Sequence, residues 1–82
     1  MKVTIHRVNQ GGNFIELLLN GSADVDYLKD ELEAAGFENV QSKQPSGLAG
    51  TNMHNLVIHN KPDATTSDTL AFLKSHQHVK FT

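Results

Sequence analysis

The chain has no cysteine, no tryptophan, two prolines and a single arginine, Arg7. Without cysteine there is no disulfide, no thiol nucleophile and no Cys-based zinc site. One arginine among scattered lysines makes no cationic stripe of the kind that follows a phosphate backbone, so a nucleic-acid partner is not expected. Short apolar runs such as Leu17-Leu18-Leu19 fall far below the ~20 residues that span a bilayer, and no membrane partner is expected. The start Met1-Lys2-Val3-Thr4-Ile5 has no apolar stretch behind a basic cluster, which points to a cytoplasmic protein.

Hydrophobic residues are 38% of the 82, and their regular alternation argues against a disordered chain. The length fits one domain, residues 1–82. A single core of this size supplies only ~3–5 kcal/mol. With disulfides excluded, self-association is the expected source of further stability, and a homodimer is the expected state.

Charge is unevenly placed. Residues 21–40 carry six acids, Asp24, Asp26, Asp30, Glu31, Glu33 and Glu38, against Lys29 alone. The remainder of the chain is mildly basic, so the overall charge is only −2.

Residues 2–8 alternate, with Val3 and Ile5 opposed to Lys2, Thr4 and His6, the pattern of a strand. Asn9-Gln10-Gly11-Gly12-Asn13 is hairpin-turn chemistry. Residues 14–19 read as a strand with apolar groups on both faces: Ile15, Leu17 and Leu19 on one, Phe14 and Leu18 beside Glu16 on the other. Val25, Leu28, Leu32 and Ala35 have helical spacing, with Ser22 or Asp24 as N-cap and Gly36 as the left-handed stop onto which Phe37 packs. Residues 38–43 predict a third strand around Val40, and 54–60 a fourth. Thr65 and Asp68 have capping-box spacing ahead of a short helix through Leu70, Phe72 and Leu73 that ends near His76. Val79 and Phe81 alternate with Lys80 in a last short strand.

The order β-β-α-β-β-α-β predicts an α+β two-layer sandwich, with a mainly antiparallel sheet and two helices on one face. Without its first strand the order is β-α-β-β-α-β, which resembles the ferredoxin-like fold. That resemblance is architectural and implies no activity.

The chemistry-bearing residues give weak patterns. His54 and His59, five apart on a strand, point to opposite faces. His76 and His78 make half a site at most, so no metal or other cofactor is expected. No Gly-x-Ser-x-Gly elbow occurs, no catalytic residue is assigned, and the chain reads as an interaction protein rather than an enzyme. Gly47-Leu48-Ala49-Gly50 has Gly-x-x-Gly spacing but no Lys or Arg to hold a phosphate. A partner-binding surface is expected instead, either the 44–54 loop, through Leu48 and Met53, or the acidic first helix, through Asp26, Asp30 and Glu33. If the helices cover the Ile15, Leu17 and Leu19 face, the other carries Phe14, Glu16, Leu18 and Val57, the expected dimer interface. The preferred function is a self-associating protein-interaction or regulatory domain. The alternative is a small-ligand-binding or catalytic dimer with a cleft lined by His6, Glu16 and His59.

Overall fold

The computed structural model describes residues 2–43 and 53–82. Five strands and two helices alternate as β1 (Val3–Gln10), β2 (Phe14–Leu19), α1 (Ser22–Ala34), β3 (Val40–Lys43), β4 (His54–His59), α2 (Thr66–Ser75) and β5 (Val79–Phe81). They form an α+β domain with one mixed sheet in the order β3-β4-β2-β1-β5. No helix among the described residues is long and apolar enough to cross a membrane.

Three strand contacts are antiparallel, β1 with β2, β2 with β4 and β3 with β4, while β1 and β5 are parallel. The expectation of a mainly antiparallel sheet did not foresee this parallel edge, and connectivity forces it. Two antiparallel steps make β1 parallel to β4, and the α2 crossover makes β5 parallel to β4 as well. The hairpin strand β1 already occupies that flank of β2, so β5 pairs with β1. The two crossovers leave antiparallel neighbours, β2 and β4, and travel in opposite directions across the sheet. Two right-handed crossovers of that kind place both helices on the same face.

That face holds the core: Val3, Ile5, Ile15, Leu17, Leu19, Val40, Leu56 and Ile58 of the sheet beneath Val25, Leu28, Leu32 and Leu73 of the helices. In β2, fully buried residues alternate with half-buried ones. In β1 the pairing slips: Ile5 lies opposite Leu19, but Arg7 lies opposite Leu18 and Val8 opposite Leu17. Two residues of β1 thus span one step of β2, a β-bulge with His6 as the extra residue. The bulge returns Val8 to the core face, against which it packs. Strict alternation from Ile5 would have turned it outward.

Helix α1 corrects the expected cap. Neither Ser22 nor Asp24 fills that position; it is Gly21, at φ 150°, with no side chain capping the first turn. The strand turns into the helix within two residues, which needs a backbone conformation open to glycine. Asp24 still lies in the first turn, where the helix dipole favours it. The far end follows expectation. Gly36 (φ 100°) donates to Glu33 O at 3.1 Å, and Phe37 N–H reaches Leu32 O at 3.0 Å, the paired bonds of a Schellman stop.

Lys61, from the turn after β4, donates from Nζ to Ala35 O at 2.6 Å and lies 4.7 Å from the Phe37 ring centre. A cation thus satisfies a terminal carbonyl at the negative end of α1. Lys61→Met keeps the apolar stem and removes the charge. It is expected to cost about 1 kcal/mol of unfolding free energy, read as a lower urea midpoint at unchanged slope.

Helix α2 starts with the predicted capping box. Asp68 N–H donates to Thr65 Oγ1 at 3.1 Å, and Thr65 N–H to Asp68 Oδ2 at 2.9 Å. Thr69, 2% exposed, donates to Asn60 Oδ1 at 2.7 Å. Asn60 donates to Thr66 Oγ1 at 3.1 Å, and Thr66 donates to Gly11 O at 3.0 Å. This chain of hydrogen bonds ties α2 to the end of β4 and to the β1–β2 turn.

Candidate functional site

The face of the sheet away from the helices has a composition set by strand parity. Residues opposite in phase to the core positions point there: Phe14, Glu16 and Leu18 from β2, Asn55, Val57 and His59 from β4, Gln41 and Lys43 from β3, with Asn55 buried between Leu18 and Lys43. Phe14, Leu18 and Val57 are all half-buried, although neither helix covers them.

An open cavity of about 390 Å³ lies on this face. Phe14 and Val57 supply its apolar wall; Glu16, Gln41, Lys43 and His59 supply its polar one. Register accounts for the gathering. Glu16, Val57 and Gln41 form one row across three neighbouring strands, and Phe14 pairs with His59 in the next row on the same face.

Each wall is held. The Phe14 and His59 ring centres are 6.0 Å apart and tilted by 42°. The Phe14 ring lies over Gly11, where any Cβ would fall inside its van der Waals surface, so a side chain at position 11 would displace the ring. Glu16 Oε2 is 3.6 Å from Lys43 Nζ, and Glu16 Oε1 is 3.5 Å from Asn9 Nδ2. The Glu16 side chain is 23% exposed and that of Lys43 63%. At 3.6 Å the pair is a charge contact rather than a short hydrogen bond, and at this exposure it contributes little to stability.

Of the residues named from sequence, Phe14, Glu16 and Val57 line this cavity together with His59. Leu18 lies further along β2, opposite Arg7 and Asn55. His6 does not join them; its ring is 2.7 Å from Asn20 Oδ1, beyond the other end of β2. Gln41 and Lys43 were not singled out in the sequence. Their alternation in β3 is the signal that could have placed them beside Val57.

Asp26, Asp30 and Glu33 are exposed on α1, spaced four and three apart and so on one side of the helix. Met53 is half-buried just before β4. Leu48, the Gly47–Gly50 stretch and the rest of the loop before Met53 lie outside the described residues.

A second polar group lies on the helical side. The rings of His76 and His78 are 5.7 Å apart, and His76 Nε2 is 3.9 Å from Glu31 Oε1. The His78 backbone N–H donates to His76 Nδ1 at 3.2 Å, which requires that nitrogen to be unprotonated. The Tyr27 hydroxyl is held above its usual pKa by lost hydration, then by the hydrogen bond and charge of Glu31. Among the described residues no three His, Asp or Glu side chains converge in a way that could hold a metal ion.

No family model, curated protein or solved structure matches the chain.

Proposed function

We propose that the chain is a non-enzymatic interaction or regulatory domain that self-associates through the face of its sheet away from the two helices. The observation that carries this is the presence of Phe14, Leu18 and Val57 on a face that neither helix protects. Pairing two such faces would remove this apolar surface from water and add to a small core. Lys43, Glu16, His6 and Arg7 would supply the polar rim. The acidic side of α1, with Asp26, Asp30 and Glu33, and the 44–54 loop are then the surfaces left for a partner protein in a homodimer.

The same reading takes the fold as a ferredoxin-like variant. Its support is the β-α-β-β-α-β order that remains without β1, with both helices on one face. In this view β1 is an extra strand slotted between β2 and β5.

Sedimentation of the full chain tests self-association. A species of twice the 9.0 kDa chain mass is expected at micromolar concentration. Phe14→Asp should weaken association by ~10-fold or more, because an unpaired carboxylate would be carried into the interface. A species that stays at 9.0 kDa at every concentration overturns the proposal, and so does association that Phe14→Asp leaves unchanged.

The second reading, a small-ligand site, is favoured by the cavity. Its volume of about 390 Å³ falls within the roughly 300–1,000 Å³ of small-molecule sites, and its apolar wall faces a few polar groups.

A further inference from the structure

We propose that the cavity on the sheet face away from the helices takes a small zwitterion with an aromatic side chain, an aromatic α-amino acid being the simplest. The inference rests on the ligand-binding reading above and adds the chemical class of the ligand. Glu16 and Lys43 place a carboxylate and an ammonium group 3.6 Å apart on one wall. A ligand with a single charge would be matched by one of them and repelled by the other. An α-amino acid carries its ammonium and carboxylate on the same carbon, so both charges can be met at once, ammonium on Glu16 and carboxylate on Lys43. The contact between Glu16 and Lys43 is too long to use the hydrogen-bonding capacity of either group fully. Charge-assisted bonds to a ligand would be shorter and stronger.

The rings beside the charged pair set the side chain. Phe14 and His59 present two rings tilted by 42°, against which a third ring can lie edge-on or offset. Val57 continues the apolar surface between these rings and the charged pair, since it pairs with Glu16. The Phe14 ring is positioned before any ligand arrives, because it packs on the bare backbone of Gly11. Such pre-organisation lowers the cost of binding.

The test is a titration of the full ¹⁵N-labelled chain, followed by amide shifts, with L-phenylalanine and L-tryptophan. 3-Phenylpropionate, which lacks the ammonium group, and 2-phenylethylamine, which lacks the carboxylate, serve as controls. The amino acids are expected to give saturating shifts at Phe14, Glu16, Val57 and His59. Each control should bind ~10-fold more weakly or worse, the loss of one charge-assisted bond. Glu16→Gln keeps the side-chain shape on an open face. It should lose the same factor for phenylalanine and strengthen binding of 3-phenylpropionate, because the carboxylate that repels this anion is gone. Equal binding of phenylalanine and 3-phenylpropionate overturns the zwitterion assignment and leaves a ligand cavity of other specificity. Shifts that do not saturate by ~10 mM with any probe, a free energy of binding weaker than about −3 kcal/mol, overturn the zwitterion and the ligand-binding reading together.

Discussion

Leu17→Ala is expected to cost about 2–5 kcal/mol of stability, while Leu18→Ala, one residue away, costs well under half of that. Leu17 is 0% exposed and lies between Val8 of β1 and Leu56 of β4, beneath the helices. Its truncation leaves a cavity that close-packed neighbours cannot fill. Leu18 points to the face away from the helices and is only half-buried, so water or a shifted side chain can replace the lost methyls. At about 0.05–0.15 kcal/mol per residue, the whole domain has ~4–12 kcal/mol to lose, and Leu17→Ala takes a large share of it. Urea midpoints of the two variants measure the contrast. Equal midpoints, or the reverse order, would mean that β2 sits one residue out of register, since such a slip exchanges its two faces. The Leu18 variant carries a second readout. If two sheet faces pair in solution, its loss of stability grows with protein concentration, whereas that of Leu17→Ala is present at every concentration.

Much of this was legible in the sequence because the informative signals are local. The alternation of residues 14–19 gives both faces of β2, and Gly36-Phe37 and Thr65-x-x-Asp68 give a helix stop and a helix start. The misreadings come from contests between local rules or from pairings that local rules do not reach. At the start of α1, Ser22 and Asp24 are good caps by residue type. The tight turn out of β2 instead requires the conformation that Gly21 adopts, and this moves the boundary. In β1 the spacing Val3, Ile5, Val8 holds the trace of the bulge, a gap of three in a period of two. The parallel contact of β5 with β1 depends on which flank of β2 the hairpin has filled, which no single segment encodes. The site divides in the same way. Phe14, Glu16 and Val57 follow from parity, whereas Lys43, which pairs with Asn55, reaches Glu16 only on a diagonal across β4, one pleat along from the Glu16–Val57–Gln41 row. His6 stands apart from His59 because they belong to opposite ends of the sheet, against Asn20 and Phe14 respectively.

Phe37→Ala is expected to be the most damaging single truncation in the helical layer, at about 3–5 kcal/mol. Phe37 is 4% exposed and fixes three things at once. Its backbone N–H closes the end of α1 on Leu32 O, its ring centre is 5.4 Å from that of Phe72 on α2, and Lys61 Nζ lies over its face. The ring is therefore the contact through which the end of one helix meets the other, and its removal opens a gap between them. Phe37→Leu separates the roles. It keeps the backbone bond and much of the volume and should cost less than about 1.5 kcal/mol. Lys61→Met made in that background should cost about 0.5 kcal/mol less than in the parent, because the cation has already lost its ring. What remains is the bond from Lys61 to Ala35 O, a contact with the helix end that does not need the ring. A cycle with no coupling between positions 37 and 61 would show that Lys61 acts only as a cap. A Phe37→Ala variant as stable as the parent would show that the two helices are held by the sheet alone.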